Sequence, residues 1–459
     1  MNYEHLFAEL ATKTIRMALV GPKGGFGRSL LVQCRALPSL EIAALCDLDL
    51  EGTLATLASL GFPADAATVC SNATDIRAAR DAGRIALVRD YALLDGIALD
   101  IVVEATGQPE VSVKIAQAAL RRGVHVAMAT KETDPVAGLY LNRLALENNV
   151  VYTTPDGDQP SNLIGLVTCA RVLGFEVVAA GKSSEYDFIY DPDAHSISYL
   201  DQRHAASLAA CWTLGDDIPA TLAARSKALS MLPQRATPDY CELNVVANST
   251  GLLPAADALN YPLARLAELA DIFVPKEDGG ILERTGVVDV FNCLRRPDDV
   301  SFGGGVFVMV RCKDDETWEL LRQKGHLVNK NGGYACIYLP YHLMGLETPV
   351  SLFSAVLTGR PTGSSKQLPH ARMVARVCRD FKAGETLSMG GHHHMIDGVD
   401  ALLIDEAKAG NAAPFYLAAN KRVTADIAKG SLVPLDALAL QGSALYDAWQ
   451  HNPWSNRCG

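Results

Sequence analysis

Short apolar runs alternate with amphipathic stretches through the first third of the chain. Residues 15–20, 41–46, 85–88, 100–105, 124–129 and 150–153 are apolar runs of strand length. Residues 25–35, 50–60, 109–122 and 136–148 carry the mixed pattern of helices with one buried face. Apolar strands alternating with such helices predict an α/β fold, a Rossmann-type doubly wound parallel sheet covered on both faces.

The pattern changes near residue 156. Residues 160–173 predict a helix and 175–181 a buried strand. Residues 187–200, rich in Asp and Tyr, predict an irregular loop over a site. Residues 220–232 and 239–247 predict helices, and the Gly-, Asp- and Arg-rich residues 276–299 a connection. A β-branched and aromatic strand follows at 305–312, then a long helix at 341–357 that returns to the first domain. Beyond residue 368, two turn-centred segments at 381–387 and 427–433 predict a small β-rich unit. The expected boundaries are 1–155, a central α+β domain at 156–367, and a tail at 368–459.

Composition narrows the function classes. The chain has 459 residues, 49% hydrophobic and 20% charged, the balance of a folded globular protein. Its net charge of -11 gives no overall reason to bind nucleic acid or an anionic membrane. No apolar run reaches membrane-spanning length, and residues 1–14 lack the pattern of a signal peptide. The eleven cysteines are scattered, with no C-x-x-C pair, as in a reduced cytoplasmic protein. The expected partner is a small molecule.

The first strand runs into Gly21-Pro22-Lys23-Gly24-Gly25-Phe26-Gly27-Arg28. Glycines three apart permit a tight turn and close approach of backbone N–H groups to a pyrophosphate, with the N-terminal end of a helix behind them. Strand, loop and helix in the first unit together predict NADH or NADPH as cofactor. Asp47 ends the second strand, twenty residues past Gly27, where an acid accepts from an adenosine ribose and favours NAD. Arg28 argues for the 2′-phosphate of NADP, or is a solvated helix residue. Thr106-Gly107 and Lys131 follow later strand ends, where such sheets bind ligands.

Asp156 and Asp158, two residues apart after a strand, suit a divalent cation such as Mg²⁺ or Mn²⁺, or form a turn that caps the next helix. Lys182 ends a buried strand, where it can move a proton or hold an anion. Glu242 opens a stretch ending in Asn248-Ser249-Thr250. His392-His393-His394 does not converge on one metal if extended, because adjacent side chains diverge. His342 is a candidate substrate contact or a packing histidine.

These motifs, with Met128-Ala-Thr-Lys-Glu132, Ala247-Asn-Ser-Thr-Gly-Leu252 and Leu339-Pro-Tyr-His-Leu-Met-Gly-Leu-Glu-Thr348, resemble homoserine dehydrogenase-like oxidoreductases with a carboxy-terminal SAF domain. The reductoisomerase-like members act on 1-deoxy-D-xylulose 5-phosphate in isoprenoid precursor synthesis. The resemblance implies a Rossmann-type domain, a central catalytic and dimerising domain, and a SAF-like tail. It also implies NAD(P)H, a homodimer or homotetramer, and in those members a metal on Asp156, Asp158 and Glu242, with Lys182, Glu242 and Asp158 catalytic. Two positions depart from it: Pro238 stands where relatives carry lysine, and Gly345 where they often carry histidine. The alternatives are a homoserine or sugar-acid dehydrogenase without rearrangement, and a non-catalytic dinucleotide- or carbohydrate-binding protein.

Overall fold

A computed structural model describes residues 2–391 and 394–452. Two of the three consecutive histidines, His392 and His393, lie outside the described residues. The chain divides into two compact units. One is Met1–Ser161 with Leu343–Gln367 and Leu440–Gly459. The other is Asn162–His342 with Leu368–Ala439. The tail from 368 to 439 is thus grouped with the central residues.

The first unit is built on seven strands: β1 (Ile15–Val20), β2 (Leu40–Cys46), β3 (Ala67–Cys70), β4 (Ile85–Val88), β5 (Ile101–Glu104), β6 (His125–Met128) and β7 (Tyr152–Thr153). Their order is β3-β4-β2-β1-β5-β6-β7, and every pair is parallel. Such a sheet is buried on both faces, which is why these strands read as unbroken apolar runs. Ile15, Met17, Leu19, Leu30 and Leu31 share one core with Leu352, Phe353 and Ala355 from the returning segment.

Two elements differ from expectation. β3 escapes the pattern because it is an edge strand with only Cys70 buried. The long helix expected from 341 begins at Thr348. Met344 has φ +53°, outside the helical region. Gly345 lies so close to the helix Gly25–Ala36 that a Cβ there would sit 2.3 Å from the Leu30 nitrogen. Pro349 then occupies the first turn, where its missing N–H is harmless.

The second unit has a mixed sheet of β8 (Glu176–Ser183), β9 (Phe188–Asp191), β10 (Ser196–Tyr199), β11 (Gln202–Ala205), β12 (Leu253–Pro254), β13 (Leu263–Ala264), β14 (Val287–Arg295), β15 (Val306–Arg311), β16 (Leu327–Val328) and β17 (Tyr334–Leu339). The main order is β11-β10-β9-β14-β8-β15-β17-β16, with β12 and β13 also on β14. The expected loop at 187–200 is instead the hairpin β9–β10. Its turn is closed by Asp191, which accepts from the backbone of Asp193 and Ala194. The expected connection at 276–299 contains the interior strand β14. Asp289 and Asn292 interrupt its apolar pattern, yet both are buried with their hydrogen bonds made.

The tail is β-rich. Ala371–Val377 pairs antiparallel with Val399–Asp405. The two turn-centred segments meet where Phe381 and Ile427 exchange backbone hydrogen bonds, both 2.9 Å. Among the described residues, no helix is long and apolar enough to cross a membrane, and the ten cysteines are all free.

Candidate active site

The strand order of the first sheet reverses beside β1: the chain builds β2, β3 and β4 on one side, then returns to lay β5 on the other. Ligands of open α/β sheets bind outside the carboxyl ends of the strands at such a switch. A cavity of about 490 Å³ lies there, lined by Gly21, Asp47, Arg89, Asp90, Tyr91 and Thr106 among others.

The three spaced glycines have different physical reasons. Gly21 has φ +81°, and a Cβ on it would sit 2.5 Å from the Ala105 carbonyl oxygen. A Cβ on Gly27 would meet the Gly21 oxygen at 2.7 Å. Both are required by packing. Gly24 is exposed, has an ordinary φ of -66°, and a Cβ would have no neighbour within 4 Å. It caps the helix Gly25–Ala36 without any side-chain bond to the first-turn N–H groups. Open space over unsatisfied, positively polarised N–H groups suits an approaching anion.

Around the cavity, Asp47 Oδ1 accepts from the Asp49 nitrogen at 2.8 Å and pairs with the Lys23 ammonium at 3.3 Å. Arg28 is not on the cavity wall; its guanidinium donates to Ser59 at 3.3 Å. Phe26 packs on the apolar core, and Gly25 is exposed beside Gly24. Gly107 donates its N–H to Thr130 Oγ1 at 2.9 Å. Glu104, fully buried at the end of β5, accepts from the Thr106 nitrogen at 3.1 Å, and burial pushes its carboxyl above the usual range.

The acidic turn belongs to the same unit. Asp156 accepts from Ser161 Oγ at 2.5 Å, and burial raises its carboxyl to about 6. Asp158 pairs with Lys131 at 3.4 Å and accepts from the Gln159 nitrogen at 3.0 Å.

In the second unit, Lys182 on β8 is 2% exposed. Its ammonium pairs with Asp239 at 2.6 Å and with Glu242, both from the helix Thr237–Thr250. The acids are three apart, so they share a helix face. Ser184 and Tyr261 donate to the second Asp239 oxygen at 2.8 and 3.0 Å. Burial pushes the Asp239 carboxyl up, against the pull of Lys182. A buried lysine between two carboxylates is a compact proton donor and acceptor.

The structure therefore joins Lys182 to Glu242 and Lys131 to Asp158, and puts Gly21, Asp47 and Thr106 on one cavity. Sequence reasoning missed Asp239, Ser184 and Tyr261 in the buried cluster, Arg89 at the cavity, and Lys23 as the partner of Asp47. Asp239, three residues before Glu242, was the available signal. The divalent-cation donors do not form a ready set. Lys131 and Lys182 already compensate Asp158 and Glu242. Among the described residues, no group of three or more His, Cys, Asp or Glu side chains is placed to hold a metal ion. His342 packs against Gly304, where a Cβ would lie 2.0 Å from its ring.

Residues 157–348 match the family described as oxidoreductase DRL, catalytic domain. The match covers under half of the chain and marks these residues as an oxidoreductase catalytic domain. No curated protein matches the sequence. Among solved structures, a dehydrogenase from Chromobacterium violaceum is 20% identical over 37% of this chain and 44% of its own, with a TM-score of 0.24. A DOX-P reductoisomerase in complex with NADPH, fosmidomycin and magnesium is 20% identical over 37% and 45%, with a TM-score of 0.28. A hyperthermophilic archaeal homoserine dehydrogenase in complex with NADPH is 13% identical over 76% and 99%, with a TM-score of 0.35. The chain spans less than half the length of the first two, and likenesses this distant carry no argument about its chemistry.

Proposed function

We propose that the chain is an NAD(P)H-dependent oxidoreductase acting on a small hydroxy or carbonyl compound. The observation that carries this is Gly24: alone of the three spaced glycines, it faces open space that no protein atom uses, at a helix start with no side-chain cap, in the loop that begins with Gly21 on the switch-point cavity. The nicotinamide dinucleotide, when bound, supplies or takes the hydride. Gly21 and Gly27 bring the backbone close, Gly24 leaves room for the pyrophosphate, and Asp47 accepts from the adenosine ribose. Thr106, Gly107 and Thr130 hold the turn after β5 in place. Lys182, with Glu242 and Asp239 behind it, gives a proton to the developing alkoxide or takes it from the alcohol.

The finer reading is a metal-assisted, reductoisomerase-like reaction on a phosphorylated hydroxyketone such as 1-deoxy-D-xylulose 5-phosphate. It requires Asp158 and Glu242 to leave their lysine partners for a cation. Plain hydride transfer on a homoserine-like or sugar-acid alcohol needs no such rearrangement, so we favour it. A purely binding role is disfavoured by the buried Lys182 cluster inside the matched catalytic domain. A homodimer or homotetramer is the assembly we propose from the resemblance, and a cytoplasmic location from the scattered cysteines.

The test is a panel of hydroxy acids, homoserine and phosphorylated ketoses, read by nicotinamide absorbance with and without Mn²⁺ and with a chelator. Chelator-insensitive turnover of an alcohol, lost in Lys182→Met, is the expected result. Turnover of a ketose phosphate only with Mn²⁺ would replace it with the metal-assisted reaction.

A further inference from the structure

We infer that Lys23 lets a single adenosine subsite accept both NAD(H) and NADP(H). The inference rests on the dinucleotide reading of the first unit and extends it to selectivity.

Asp47 lines the cavity with its Oδ1 already engaged, by the Asp49 nitrogen and by Lys23. Its Oδ2 accepts no hydrogen bond among the described residues, so it is placed to receive the 2′-hydroxyl of NAD. An unmodified aspartate at this position repels a 2′-phosphate, which carries about two negative charges near neutral pH. Here the repulsion has a local remedy. The Lys23 ammonium sits 3.3 Å from Asp47 and 2.8 Å from Asp49, on a side chain that is 34% exposed. Asp49 is 56% exposed, and exchanging so solvated a pair for a phosphate costs little. By turning from Asp49 to the phosphate, the lysine screens Asp47 without leaving the loop. Arg89 lines the same cavity, and no ion pair or hydrogen bond engages its guanidinium among the described residues. It supplies a second cation with the planar fork that suits phosphate oxygens. Arg28, the arginine next to the glycine loop, turns to Ser59 instead.

The experiment is titration of the full chain with NADH and NADPH by nicotinamide fluorescence, in the wild type and in Lys23→Ala and Asp47→Asn. The wild type is expected to bind both. Lys23→Ala should raise the NADPH Kd about tenfold or more, the scale of one lost charge-assisted contact, and leave NADH within about threefold. Asp47→Asn should weaken NADH more than NADPH. An unchanged NADH-to-NADPH ratio in Lys23→Ala, or a wild type that binds one dinucleotide alone, overturns the inference while the oxidoreductase reading stands. A wild type that binds neither overturns both. Unchanged circular dichroism melting of Lys23→Ala confirms that the surface substitution leaves the fold intact.

Discussion

Gly24→Ala and Gly27→Ala lie three residues apart, yet they address different questions. The Gly27 Cβ would press on the Gly21 carbonyl oxygen at 2.7 Å, so the substitution should destabilise the chain by about 1–3 kcal/mol. Gly24 has room, so Gly24→Ala should leave the urea midpoint unchanged and raise the NADH Kd about tenfold or more, by crowding the helix start. Equal loss of stability in both would remove the distinction. A second residue-scale prediction concerns Asp134, which accepts from Tyr152 at 3.0 Å and is raised by burial from 3.8 to about 7. A carboxyl raised in the folded state stabilises it fully below its unfolded value, and that contribution is lost as pH rises through the folded one. Asp134 alone therefore lowers stability by at most about 1.4 kcal/mol per pH unit on this rise. Melting midpoints of Asp134→Asn should fall less than those of the wild type between about pH 5 and about pH 7; parallel curves would contradict it. Gly21 and Gly27 were legible because one turn's geometry dictates them, and Asp47 because it follows a readable apolar strand. Tyr261 was not, because only the fold brings it to Asp239.

Among the elements, the parallel strands β1, β2, β5 and β6 were readable as apolar runs buried on both faces. β14 was not, because Asp289 and Asn292 break its run and are satisfied by Asn260, Gln234 and Tyr261 from distant segments. The hairpin β9–β10 was hidden by its polar turn. The helix expected at 341 failed on Gly345, whose closeness to the helix Gly25–Ala36 no periodicity reveals. In the second unit, Arg225 shows how such segments are held. Its guanidinium, fully buried, forks onto both Glu268 oxygens at 2.7 and 2.9 Å and donates to the carbonyls of Cys211, Trp212 and Leu263. Arg225→Ala leaves Glu268 buried without its cation and should cost about 3–5 kcal/mol in urea unfolding. A loss below about 1 kcal/mol, the size of an exposed pair, would contradict this account.

For the whole molecule, composition and strand–helix alternation were enough to set the α/β class of the first unit, whereas the mixed sheet of the second was read only as a change of pattern near residue 156. Substrate identity was not legible, because it depends on side chains spread from Lys182 to Tyr261 rather than on any motif. If cofactor binding belongs to the first unit and proton transfer to the second, Lys182→Met should keep NADH affinity within about twofold while turnover is lost. Loss of NADH affinity in that variant would show that the two functions are not separable. The most direct test of the central claim is titration of the purified wild-type chain with NADH and NADPH by nicotinamide fluorescence. Saturable binding, weakened in Gly24→Ala without loss of stability, is the predicted result. No binding of either dinucleotide would contradict the account and leave the glycine loop as a turn that serves packing alone.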